Sequence, residues 1–187
     1  MKDLFEIGLS RTSQGLVGRY REHDVRIEEH WLSPESGQTS YLVVFSNPRG
    51  IVLHIKKRRT FPIGGSYLEN RLGLREIKVD EKFDREFIVK GNYENEIKAI
   101  LDPYLLSRIA CLREFLDENR HQEMAPAIEI GYPEDPKQAY MLNGSLLPYV
   151  DDLNLAQYKD PFPIVFDAFR SRLILDALID IIQKLES

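Results

Sequence analysis

Four histidines, one cysteine and a short run of carboxylates are the side chains of this 187-residue chain best suited to chemistry. His23, His30, His54 and His121 stand apart, and none forms HxH, HExxH or another spacing that sets two imidazoles on one metal. Glu28 and His30 share a strand face by alternation and would fill two positions on a metal, but a third and fourth ligand would have to come from elsewhere. Cys111 falls beside an apolar helical stripe. A catalytic thiolate needs an electropositive, partly exposed setting and a nearby base, so this position reads as a small core side chain. Asp80, Glu81, Asp84 and Glu86 cluster in VDEKFDREF. Lys82 and Arg85 are interleaved with them, which is the pattern of a solvated surface rather than of two carboxyls driven to different pKa values. PIGGSY is neither a phosphate-binding loop nor a nucleophile elbow, and Ser66 followed by Glu69 is a capping box instead. The densest charge feature is Lys56–Lys57–Arg58–Arg59, four consecutive cations directly after a strand. These four are the candidate binding residues, with an anionic lipid surface or an acidic protein as the matching partner. Strand alternation divides them between two faces unless the strand ends there, and Thr60 and Pro62 suggest that it does. Solvation or protection of a sheet edge by lysine is the competing reading.

The elements that must position these residues follow from periodicity. Leu4 to Leu9 reads as a short helix or capping segment. Leu16 to Tyr20 reads as a strand joined by a turn around Glu22–Asp24 to DVRIEEHW, where Val25, Ile27 and Trp31 alternate with Arg26, Glu28 and His30. Ser40 to Ser46 is a third strand. After the turn residues Asn47, Pro48 and Gly50 comes a fourth, with Ile51, Leu53 and Ile55 inward and Val52, His54 and Lys56 outward. Strands joined by short turns pair antiparallel, so this third of the chain is expected to be a four-stranded meander. Glu86 to Gly91 is a further strand. Asn92 is placed to cap a helix over 93–101, and Asp102 with Pro103 opens another over 103–118. Ile97, Leu101, Leu105, Ile109, Leu112 and Leu116 form the stripe they bury. AIEIGY and QAYML read as paired strands. Asp160 and Pro161 are expected to start a long last helix, with Phe166, Phe169, Leu173, Ala177, Ile181 and Leu185 down one side and Ile174, Leu178 and Ile182 widening it.

The fold class expected is α+β: an antiparallel β-meander in the N-terminal third, then helix, short strands and a long C-terminal helix packed on the sheet, all in one domain over 1–187. A chain of this size buries about 70% of its unfolded surface without staples. A net charge of −5 argues against a nucleic-acid partner. One cysteine excludes an internal disulfide and suits the cytoplasm. The N-terminus lacks the apolar core of a signal peptide, and the apolar stretch from Phe162 to Leu185 is broken by Asp167, Arg170, Arg172, Asp176 and Asp180. No cofactor is implied.

The stretch IKVDEKFDREFIVKG, followed by a short helix and LDPYLLSRI, resembles a family of bacterial proteins of unknown function that share an FDxxFxV segment, a helix and a leucine-rich segment opened by Pro. GLVGRYREHDVRIEE is similar to the strand–turn–strand that precedes it there. The resemblance spans roughly residues 5–115. It implies a small α+β fold and supplies no activity, substrate or site residue. Some members carry membrane spans before the shared region, which keeps membrane association open.

Three functions fit these readings. The leading one is a non-catalytic binding or scaffolding module that meets a protein partner or an anionic membrane through Lys56, Lys57, Arg58 and Arg59. A carrier of a small apolar ligand would use a pocket between sheet and last helix, lined by Trp31, Phe45, Phe87, Phe166 and Phe169. A hydrolase would require two of His23, His30, His54, His121 and Cys111 to meet at a carboxylate. The last helix over 162–185 packs within its own domain or shares its wide apolar side with a second copy as a homodimer.

Overall fold

The computed structural model describes residues 8–12, 15–33, 36–58, 74–112, 127–131, 155–160 and 168–187. Nine strands within them form one sheet: β1 (Leu9–Arg11), β2 (Gly15–Tyr20), β3 (His23–Ser33), β4 (Ser36–Val44), β5 (Leu53–Lys57), β6 (Arg75–Ile77), β7 (Phe87–Gly91), β8 (Ala127–Ile130) and β9 (Leu155–Asp160). Their order is β1-β2-β3-β4-β9-β8-β5-β7-β6, and every neighbouring pair is antiparallel. The described helices are α1 (Glu81–Glu86), α2 (Glu94–Ile100), α3 (Pro103–Cys111) and α4 (Ala168–Glu186). The fold is α+β with an N-terminal antiparallel meander.

The membership of that meander differs from expectation. Its four strands are β1 to β4. The strand around Ile55 does not join β4, because β9 and β8 lie between them. Sequence proximity makes a hairpin cheap to close, but the late strand β9 pairs with the edge of β4, and β8 lies between β9 and β5. β5 therefore sits inside the sheet, between β8 and β7, and Lys56 and Lys57 guard no edge. The connection from β4 to β5 is held by two asparagines. The buried Asn47 donates from Nδ2 to Ile51 O and accepts from Ile51 N–H at Oδ1, both at 3.0 Å. Asn92 accepts from Val52 N–H (3.0 Å) and donates to Gly50 O (2.8 Å). Asn92 is thus committed to that connection, and α2 follows the N-cap residue Tyr93, which makes no side-chain cap hydrogen bond.

One face of the sheet carries the core. The registers align Leu16, Ile27, Tyr41, Tyr158, Ile128, Ile55, Val89 and Ile77 in a continuous row from β2 to β6. α4 covers β4 and β9 and meets α2 and α3 on its other side. Enclosed between these layers, Ile174, Leu175, Ala177, Leu178, Ile179, Ile181 and Ile182 are all at most 1% exposed. Each large apolar side chain so buried contributes about 1.5–3 kcal/mol. α2 and α3 supply Ile97, Leu101, Leu105, Ile109 and Leu112, as their spacing required. α3 has the expected start: Asp102 accepts from Leu105 N–H at 2.9 Å, and Pro103 follows it. Asp80 likewise caps α1, a helix that the charged pattern of VDEKFDREF conceals.

Other expectations change. Asp160 ends β9, opposite Thr39, and the described part of the last helix begins at Ala168. Phe169 is 66% exposed rather than buried. His54 and Val52, expected outward in solvent, are 3% and 6% exposed. Cys111 is exposed at the end of α3 rather than in the core. The turn between β2 and β3 is Arg21–Glu22, one residue earlier than expected. β1, β6 and β9 are too short or too polar to be seen by alternation. The Ser66–Glu69 capping box, QAYML, Leu4 to Ile7, Leu116, Pro161 and Phe166 lie outside the described residues.

Gly91 is required by crowding: a Cβ there would stand 2.1 Å from Ile97 Cδ1 and 2.7 Å from Val52 O. Gly91→Ala should therefore lower unfolding free energy by about 1–3 kcal/mol, measured by chemical denaturation. Asn47→Ala, which strands the Ile51 amide and carbonyl, should lower it by about 1–3 kcal/mol.

Candidate functional site

The face of the sheet opposite the core carries a second cross-strand row. Registers place Arg26, Leu42, Gln157, Glu129, His54, Lys90 and Glu76 side by side from β3 to β6. This row is offset by one residue from the apolar row on the other face, so strand alternation alone divides the two chemistries. His54 and Lys90 are direct partners across β5 and β7, and they are 3% and 9% exposed. Lys56, two residues along β5, lies on the same face and is half-buried. His54, Lys56 and Lys90 thus share one patch of sheet, each with an interaction inside the fold.

The expected cluster Lys56–Arg59 is distributed differently. Lys57 alternates to the helix side of β5, opposite Phe87. Arg58 has left the strand. Its Nη2 donates to Glu76 Oε1 at 2.9 Å and its Nε to Asp84 O at 3.1 Å. Arg59 lies outside the described residues. Lys56 stays on the polar face and Arg58 reaches that face through Glu76; alternation within β5 gives Lys56 its neighbour His54, and the register with β7 adds Lys90. Lys90 was missed because VKG reads as the end of a strand, with no sign of what lies across from it. The signal available was the alternation of Ile88 and Lys90 against Phe87 and Val89.

Acidic groups around this face are largely engaged. Glu76 Oε1 also accepts from Lys78 Nζ at 2.6 Å. The Lys78 ammonium, and then the Arg58 guanidinium, hold the Glu76 carboxyl below its ordinary 4.5. Glu81 pairs with Arg85 along α1, and Asp84 Oδ1 accepts from Val79 N–H at 3.4 Å, so the carboxylates of VDEKFDREF serve their own helix.

A second charged group lies on the core side, where α3, α4 and the β2–β3 turn meet. Arg108 Nη1 lies 2.8 Å from Asp180 Oδ2, and Arg108 Nη2 lies 3.6 Å from Asp176 Oδ2. Arg21 Nη1 reaches Asp176 Oδ1 at 3.1 Å and Asp180 Oδ1 at 3.2 Å. Tyr20 donates to Asp176 Oδ1 at 3.0 Å, and burial together with that hydrogen bond pushes the Tyr20 hydroxyl above its ordinary value. Every charge here has an opposite partner, so the group is a tie between layers.

The groups a hydrolase would need do not meet among the described residues. His23 begins β3 and His54 lies in β5, four strand positions away in the sheet. Cys111 belongs to the helix layer on the far side. The His30 side chain and His121 lie outside the described residues. Among the described residues no three of His, Cys, Asp and Glu are placed to hold a metal. Of the proposed pocket residues, Phe45 and Phe87 belong to the buried core. Phe87 stacks on Phe83 with centroids 4.4 Å apart, Phe45 is buried at the end of β4, and Phe169 faces solvent. The Trp31 side chain and Phe166 are not among the described groups. No described helix is long and apolar enough to cross a membrane. Comparison with protein-family models, with curated proteins and with solved structures found no match to this chain.

A carboxyl whose folded pKa is depressed contributes stability above its unfolded pKa and loses it as pH falls through the folded value. The Glu76 contribution is therefore present above pH 4.5 and lost below it. Melting temperature should fall less steeply below pH 4.5 in Glu76→Gln than in the parent chain, as followed by thermal circular dichroism at a series of pH values.

Proposed function

We propose that this chain is a non-catalytic binding module, and that its contact surface is the sheet face turned away from α2, α3 and α4. The observation that supports this is the gathering of Lys56, His54 and Lys90 on one face by the pairing of β5 with β7. Such a patch suits a partner that presents carboxylates. His54 and Lys90 are buried, at 3% and 9% exposure, so the half-buried Lys56 is the group of this patch that a partner meets. A half-buried lysine on a sheet face is met more closely by a protruding acidic side chain than by the flat headgroup plane of an anionic membrane. An acidic segment of a protein is therefore the partner proposed. Contacts of this kind set association rate and specificity and weaken with salt. The module is proposed as a member of the bacterial family that its central stretch resembles, acting in the cytoplasm.

Strand alternation provides an internal control, since Lys56 and Lys57 are adjacent in sequence and lie on opposite faces. A hexaglutamate peptide titrated into the isotopically labelled chain should shift amide resonances of β5 and β7, and more strongly at 50 mM than at 300 mM salt. Lys56→Gln should weaken the interaction about two- to fivefold, the range of one exposed ion pair, and Lys57→Gln should leave it unchanged. Equal effects of both substitutions, or no shifts on this face at millimolar peptide, would remove the proposal. Flotation with phosphatidylserine vesicles in the absence of peptide binding would favour a membrane instead.

A further inference from the structure

The tip of the β2–β3 hairpin is built from the wrong residues for its shape. Tyr20 pairs with His23, leaving the two-residue turn Arg21–Glu22. Both of these have positive φ, 47° and 71°. Two-residue hairpin turns with both central residues in this region are normally Asn-Gly, Asp-Gly or Gly-Gly, because a Cβ there crowds the following carbonyl oxygen, a cost that glycine escapes and that Asn or Asp offset by local hydrogen bonds. Local preference does not select Arg-Glu for this turn. What does hold it are tertiary contacts: Arg21 bridges Asp176 and Asp180, one helical turn apart on α4, and Tyr20 donates to Asp176 at 3.0 Å, while within the hairpin Arg19 Nη2 donates to Glu22 O at 2.9 Å.

The carboxylates that seat Arg21 do not depend on it. Arg108, on α3, reaches both of them. Losing one partner of a buried ion pair is normally expensive because the other charge is stranded. Here Arg108 remains beside Asp176 and Asp180 if Arg21 leaves, so that penalty is small. Release also relieves two strained residues. The Arg21 side chain is 43% exposed, against 27% for Arg108, so salt reaches the hairpin contact more readily than the helix contact.

We infer that the Arg21–Glu22 turn is a strained clasp, which ties the β2–β3 hairpin to α4 and opens locally while the α3–α4 pairing stays closed. The test is amide hydrogen exchange on the full chain at 50 mM and 1 M sodium chloride. High salt should quicken exchange at residues 17–26 about two- to fivefold, with residues 174–182 unchanged. Arg21→Gln should show the faster hairpin exchange already at low salt and little further response to it. Glu22→Gly, which removes the strain at that residue, should slow hairpin opening. The inference fails if Arg21→Gln exchanges at the parent rate. It also fails if salt quickens α4 as much as the hairpin, since opening would then be global. A faster hairpin in Glu22→Gly would overturn the role of strain.

Discussion

Burial of α4 between the sheet and the other helices organises this molecule. An ordinary surface helix offers one apolar stripe, but α4 hides Ile174, Leu175, Leu178, Ile179, Ile181 and Ile182 almost completely. So many buried positions in succession leave little of its circumference for water. Its polar residues must then find partners within the fold. Asp176 and Asp180 turn to Arg108 and Arg21, Lys184 pairs with Asp102, and Ser171 shares a hydrogen bond with Tyr41. Arg49, from the β4–β5 connection, donates to the carbonyls at the end of the helix. These contacts give direction to a packing force that has none of its own.

The same arrangement explains why the apolar width of the last helix need not imply a second copy. Its extra apolar side is taken up by α2 and α3 of the same chain. Asp102 joins the layers twice, capping α3 and pairing with Lys184. Phe169 is the large apolar side chain of the described α4 residues that stays in solvent.

The sheet separates two chemistries by one-residue alternation. On the helix side the central rows are apolar and packed, with Lys57 at the end of β5 and Thr39 opposite Asp160 at the end of β9. On the other side they carry Arg26, Glu28, His54, Lys56, Lys90 and Glu76. A slip of one residue in any strand would exchange the two sets, so the apolar core also fixes which polar groups become neighbours. The proposed binding face is in this sense a by-product of core packing: β5 must align Ile55 with Val89, and that alignment sets His54 against Lys90.

The amino-acid sequence by itself determined the local elements. The alternation of Val25 and Ile27, the stripe from Ile97 to Leu112 and the Asp102–Pro103 helix start are each dictated by neighbours a few residues away, and each recurs in the structure. The exposure of Cys111 and Phe169 was not legible, because a position on a helix face says nothing about how far the covering layer extends. The sheet order was not legible either. β8 and β9 intervene between β4 and β5 from far along the chain, and no short-range pattern encodes pairing at that separation. The candidate face shared this fate in part. Alternation within one strand placed His54 beside Lys56, while Lys90 became their neighbour only through the register of β7 with β5. Alternation and capping are local energies written into adjacent residues. Pairing and burial depend on which distant surfaces exclude water together, and only the tertiary structure decides that.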